Sequence, residues 1–200
     1  MTEEVIERLR SDGKRPSLLL HACCAPCSSY VLEYLNRFFD ITLYYYNPNI
    51  FPEEEFVFRL DELKRLVGEI GADAKIIAGE YEPEEFFKIA KGREDEPEGR
   101  ERCFLCYHLR LLKSGEYAKT NNFDYFTTTL SISPYKNAEK LNTIGEEISG
   151  LCGVSYLYSD FKKKNGYKRS IELSREHGLY RQDYCGCVYS KTARENAKNK

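Results

Sequence analysis

Long hydrophobic runs are missing from this 200-residue chain: Leu18-Leu19-Leu20 is far short of the roughly 20 apolar residues a bilayer demands. Nothing resembles a secretory leader either: the acidic Met1-Thr2-Glu3-Glu4 is not what one would start with, so none is expected. The expectation is a cytoplasmic protein with no membrane partner. A large net charge is absent; the value of −2 carries no global nucleic-acid signal, and 42% hydrophobic with 31% charged residues is ordinary for a soluble globular chain. There is no internal repeat or low-complexity tract. Histidine is scarce, with three residues and no catalytic pair among them. His21 ends an apolar run beside Cys23, where it can pack under a turn or bond to a sulfur; His108 and His177 read as surface residues. Eight cysteines in 200 residues are too few for a disulfide scaffold, and a reducing compartment keeps them as thiols. That leaves metal binding or catalysis.

Seven of the eight fall into three groups, Cys23-Cys24-Ala25-Pro26-Cys27, Cys103-Phe104-Leu105-Cys106 and Cys185-Gly186-Cys187. Core-filling thiols scatter singly, whereas thiols two or three residues apart can surround one centre. Cys103 and Cys106, three apart, share one side of a helix. Cys23 and Cys24 stand at a helix start, where free backbone N–H groups favour thiolate. These four could hold one [4Fe–4S] cluster or one zinc. An adjacent Cys-Cys pair outside a ribbon hairpin tilts the choice towards iron–sulfur. Cys185 and Cys187 could close a strained, readily reduced disulfide, with Gly186 giving the turn its freedom. Alternatively this pair and Cys27 could bind a second metal, completed by Asp160 or Asp183. Cys152 stands alone and reads as a buried structural thiol.

Apolar periodicity organises the rest. Ser17 to His21 reads as a buried strand, followed by a helix capped by Ser28 and Ser29 with Val31, Leu32, Leu35 and Phe38 on one face. Ile41 to Tyr46 is a strand closed by Asn47-Pro48-Asn49. Phe56, Leu60, Leu63, Val67 and Ile70 mark a helix that Gly71 ends, and Lys75 to Ala78 a third strand. Residues 80–101 are dense in Glu and Asp and read as a mobile acidic insertion. A helix carries Cys103 and Cys106; Tyr125 to Leu130 and Val154 to Tyr158 are strands, with a helix over Ala138 to Ile148 between them and another near Ile171 to His177. This alternation predicts one α/β domain over 1–200, a mostly parallel sheet with helices on both faces and a cysteine-bearing C-terminal helical segment. Ligands bind such sheets at the carboxyl ends of the strands, where the 23–27 turn, Asn47, Ser131 and Asp160 all fall.

Charge is unevenly spread. Residues 161–200 hold eleven Lys/Arg against four Asp/Glu. Lys162, Lys163, Lys164, Lys168 and Arg169, interleaved with Phe161 and Tyr167, are candidate phosphate contacts; a solvated basic loop is the plainer reading. Tyr135, Tyr180, Tyr184 and Tyr189 flank the sulfur segments and could stack an extruded base.

The strings His21-Ala22-Cys23-Cys24-Ala25-Pro26-Cys27, Arg102-Cys103-Phe104-Leu105-Cys106, Thr127 through Asn137, Asp160-Phe161-Lys162-Lys163 and Tyr180 through Cys187 together closely resemble the QueH family of epoxyqueuosine reductases. The resemblance runs from about residue 17 to 190. It implies reduction of the epoxide of epoxyqueuosine at the wobble position of a tRNA, the last step of queuosine biosynthesis, with an iron–sulfur cluster, without cobalamin, and with electrons from an unidentified donor. By motif, Cys23, Cys24, Cys103 and Cys106 look like [4Fe–4S] ligands and Cys185 and Cys187 like the redox-active pair; Cys27 is left without a role. Asp160 or Asp183 is the candidate proton donor. The fold also resembles that of PP-loop, adenine-nucleotide α-hydrolase-like proteins, but their Ser-Gly-Gly-x-Asp-Ser phosphate loop is replaced here by Cys-Cys-Ala-Pro-Cys-Ser-Ser, so no ATP hydrolysis is expected. Two other readings stand beside it, a tRNA-thiolating iron–sulfur sulfurtransferase and a zinc-binding RNA-binding protein without enzymatic activity.

Overall fold

The computed structural model describes residues 2–198. Five parallel strands form one sheet in the order β3-β2-β1-β4-β5: β1 (Ser17–His21), β2 (Asp40–Tyr45), β3 (Ala74–Ala78), β4 (Tyr125–Thr128) and β5 (Ser155–Tyr156). β1 lies at the centre, paired with β2 and β4, which is why Leu18, Leu19 and Leu20 are wholly buried. Side chains alternate across it. Leu18, Leu20, Leu43 and Tyr45 join the core beneath α2 (Ala25–Leu35) and α3 (Glu53–Glu69). Leu19, Tyr44 and Phe126 join the opposite core, beneath α5 (Glu101–Thr120) and α6 (Ala138–Cys152). The expected α/β architecture with helices on both faces is present. α1 (Thr2–Asp12), α4 (Pro83–Ala90), α7 (Gly166–Glu176) and α8 (Val188–Lys198) complete the helices. None of the described helices is long and apolar enough to cross a membrane.

The chain runs outward from β1 through β2 to β3, then returns to the other side of β1 for β4. The connections therefore diverge at the carboxyl ends of β1 and β4, which opens a crevice there. A hydrogen bond spans it: the Cys23 N–H donates to Thr129 Oγ1 at 3.3 Å.

Three expectations need correction. α2 starts at Ala25, not after the serines: Cys24, in extended backbone, is its N-cap and Pro26 fills the first turn, where no donor is needed. Ser28 and Ser29 turn their hydroxyls back onto the Cys24 and Pro26 carbonyls instead. Residues 80–101 are no loose excursion, because α4 buries Phe86 and Ala90, one helical turn apart, against Cys106 and Cys187. β5 has only two residues, Ser155 and Tyr156; Leu157 still donates to the Phe126 carbonyl at 2.9 Å, and the chain then leaves the sheet before Asp160.

Candidate active site

Three segments bring their thiols to this end of the sheet. The β1–α2 turn supplies Cys23, Cys24 and Cys27, whose Sγ atoms all lie within 4.8 Å of one another, close enough to share a metal. Cys24 is the extended N-cap of α2, and its Sγ lies 3.8 Å from that of Cys23. α5 supplies Cys103 and Cys106 from its buried stripe. Cys103 packs in the same apolar cluster as Cys23, while Cys106 packs with Cys185 and Cys187. The loop before α8 supplies that last pair, 3.5 Å apart, both free thiols. A disulfide needs about 2.05 Å, so the expected redox-active disulfide is here a reduced dithiol. Cys152 is the structural thiol expected: it lies under Gly115, where an added Cβ would meet Ile148 at 2.6 Å and Cys152 Sγ at 3.2 Å.

The turn thiols and Cys185 border a cavity of about 390 Å³, lined among others by Cys23, Cys24, Cys27, Cys185, Lys136 and Tyr184, while Cys103, Cys106 and Cys187 lie behind its wall. Its donors suit an iron–sulfur or zinc centre: the convergent groups are soft thiols, and polar hydrogens reach the sulfurs. The Gly99 N–H donates to Cys103 Sγ at 3.2 Å, and Thr129 Oγ1 lies 3.5 Å from Cys23 Sγ. Hydrogen bonds from Cys24 and Cys27 hold the Cys23 thiol well below its usual range, whereas the bond to Cys23 pushes Cys24 up to about 12. The Cys185–Cys187 contact likewise lowers Cys185 and raises Cys187. Burial instead pushes both Cys103 and Cys106 up, so the lowered thiols are one in the 23–27 turn and one in the 185–187 pair.

Cations surround the sulfurs, and the sequence reading had named none of them. Arg110 and Lys136 are 3% and 8% exposed. Burial works against the Lys136 charge, but Cys185, Tyr107 and Glu98 outweigh it and keep the ammonium protonated; its Nζ donates to Glu98 Oε1 at 2.8 Å. Arg59 donates to Glu55 and, at 3.2 Å, to the Cys185 carbonyl, and its guanidinium covers the Tyr184 ring at 5.1 Å. The available signal for Arg110 was its spacing, four residues after Cys106 on one helical face. His21 is buried among these groups. Burial, then Arg110, push its pKa down to about 3, so the imidazole is neutral.

The carboxylate candidates fare differently. Asp160 borders a separate depression with Asn142, Glu146 and Tyr158, and pairs with Lys162 at 2.9 Å and Lys163 at 3.7 Å. Asp183 does line the thiol cavity, but its bond to Lys198 at 2.7 Å lowers its pKa and leaves it a carboxylate. Of the candidate phosphate contacts, Lys164 pairs with Glu3 and Arg169 with Glu33 and Glu176, while Lys168 is exposed. Such surface pairs are weak enough to be exchanged for phosphate. The same segment reaches the cavity through Tyr167 and Ser170, beside Arg181 and Arg194 at the rim. Tyr135, 63% exposed, stands there with Arg194 over its ring. Tyr180 meets Phe58 edge-to-face and Tyr189 packs at a tilt against Phe86, both outside the cavity lining.

Fold and site define a Rossmann-like parallel α/β protein with a thiol-lined centre at the topological switch point. Among solved structures it is similar to the U34-tRNA thiolase NcsA from Methanococcus maripaludis with its [4Fe-4S] cluster, with a TM-score of 0.51 and 12% identity over 99% of this chain and 73% of that one; a likeness at that identity speaks for the fold. The family model for epoxyqueuosine reductase QueH matches residues 18–193, and the chain belongs to that family. Its relatives include the epoxyqueuosine reductases QueH of Staphylococcus epidermidis, 43% identical over 94% of this chain and 81% of the relative, and of Streptococcus pyogenes, 45% identical over 90% and 72%. That of Thermotoga maritima is 33% identical over 87% and 90%.

Proposed function

We propose that this chain reduces the epoxide of epoxyqueuosine in tRNA to the alkene of queuosine, taking up two electrons and two protons and releasing water. The observation that carries the reading is a cavity at the strand ends lined by Cys23, Cys24, Cys27 and Cys185, with Cys103 packed in the cluster of Cys23 and Cys106 and Cys187 in that of Cys185, in a member of this family. Cys23, Cys24, Cys103 and Cys106 are the proposed holders of a [4Fe–4S] cluster, with Cys27 beside them as a further thiol. When bound, that cluster supplies electrons one at a time, with no need for cobalamin. Cys185 and Cys187 form a second two-electron store: as a dithiol they give up two electrons and two protons on closing to a disulfide. Lys136 is the proposed proton donor to the leaving oxygen. It borders the cavity, keeps its proton, and an alkoxide is a far stronger base than its amine.

The modified base enters between Tyr135 and Tyr184, whose rings line the cavity and offer stacking faces. Arg181, Arg194 and the 162–169 segment contact phosphates around it. Reduced, iron-loaded protein given tRNA that carries epoxyqueuosine should yield queuosine on nucleoside mass spectrometry. A sulfur-bearing nucleoside in its place would turn the assignment to the thiolase reading, and no conversion with a loaded cluster would sink it.

A further inference from the structure

A guanidinium removed from water is normally matched by a carboxylate, because an unpaired charge in a protein interior is costly. Arg110 is buried on α5, lines the thiol cavity, and pairs with no carboxylate among the described residues. Its hydrogen bonds go to neutral acceptors: Nη2 donates to Asn47 Oδ1, and Nε to His21 Nε2 at 3.3 Å. Asn47 is fixed in that orientation by its own donation to the Ala22 carbonyl at 2.9 Å. His21 Nδ1 lies 2.9 Å from Thr128 Oγ1, and its Nε2 also lies 3.1 Å from the Tyr46 carbonyl. None of these partners carries the compensating charge.

The acidic groups nearest Arg110 are thiols: Cys23 and Cys185 line the same cavity, and with Cys106, one helical turn before it on α5, they favour its charge against the burial that opposes it. The two other cations turned to the sulfurs are each matched by a carboxylate, Lys136 by Glu98 and Arg59 by Glu55. Arg110 is the exception.

We infer that Arg110 is the built-in counter-charge of the thiolate-held centre, a positioning residue that raises its reduction potential by favouring the more negative, reduced state. This rests on the iron–sulfur reading above. One electron entering the centre adds one negative charge while Arg110 keeps its proton, so the attraction grows on reduction. Taking away the cation must lower the potential.

The test is a redox titration, followed by electron paramagnetic resonance, of iron-loaded wild type, Arg110→Lys and Arg110→Met. Arg110→Lys should stay near the wild-type midpoint. At that potential the Arg110→Met centre should be at most about one-tenth reduced, a tenfold change being 59 mV for one electron. An Arg110→Met midpoint equal to wild type overturns the inference and leaves the cluster reading standing; wild type without iron overturns the cluster reading itself. Should Arg110→Met fail to fold or load, wild-type protein labelled with ¹⁵N-arginine decides. The reduced centre should show ¹⁵N hyperfine coupling that survives Arg59→Lys, and its absence overturns the inference.

Discussion

Gly186 is the residue on which the dithiol turn depends. Its φ of +113° is open to glycine and strained for other residues. A Cβ there would meet Ile50 Cγ1 at 2.9 Å and Arg59 Nη1 at 3.0 Å, the latter being the group that holds the Cys185 carbonyl. The Gly186 carbonyl in turn accepts from the Phe51 N–H at 3.1 Å. Gly186→Ala should therefore shift Cys185 and Cys187 relative to the cavity and slow single-turnover reduction on the order of 10–100-fold, while tRNA affinity stays unchanged. Rapid-quench assays with a parallel binding titration check this, and an unaltered rate would contradict it. At this scale the cysteines were legible because clustering is visible without a fold. Arg110, Arg59 and Lys136 were not, because an isolated cation in a sequence resembles solvated surface until the fold buries it.

Among the elements, α4 bears directly on the site and was hidden by composition. Its acidic residues mask a short apolar face, Phe86 and Ala90, which packs on α5 and beside Cys187. Phe86→Ala should cost about 3–5 kcal/mol of stability, read by urea denaturation. A loss below 1 kcal/mol would mean that α4 is not part of the core. The longer elements were legible from periodicity: β1 to β3, α3 and α6 carry enough apolar residues at one spacing to declare themselves. α1 went unread; it buries only Ile6 and Leu9 on an otherwise charged helix. β5 was read too long for a related reason, since Val154, Tyr156 and Leu157 are buried whether or not they pair.

For the molecule as a whole, the basic C-terminal fifth borders the cavity, which puts the proposed substrate contacts and the proposed chemistry on one face. Binding of the tRNA should weaken steeply with salt, and replacing both Arg181 and Arg194 by Ala should reduce the slope of log K against log salt by about 2. An unchanged slope would move the tRNA to another face. The parallel sheet and the location of its crevice followed from strand–helix alternation; what no alternation could reveal is which distant segments face each other across it.

That meeting of segments is the central claim, and iron analysis with visible and electron paramagnetic resonance spectra tests it most directly, on anaerobically purified wild type, Cys23→Ala and Cys103→Ala. About four irons per wild-type chain are expected for a single [4Fe–4S] cluster, with its signal and iron lost in each variant alone, because one centre draws ligands from both the β1–α2 turn and α5. Full iron and an unchanged spectrum in either variant, or one zinc and no iron in wild type, would contradict it.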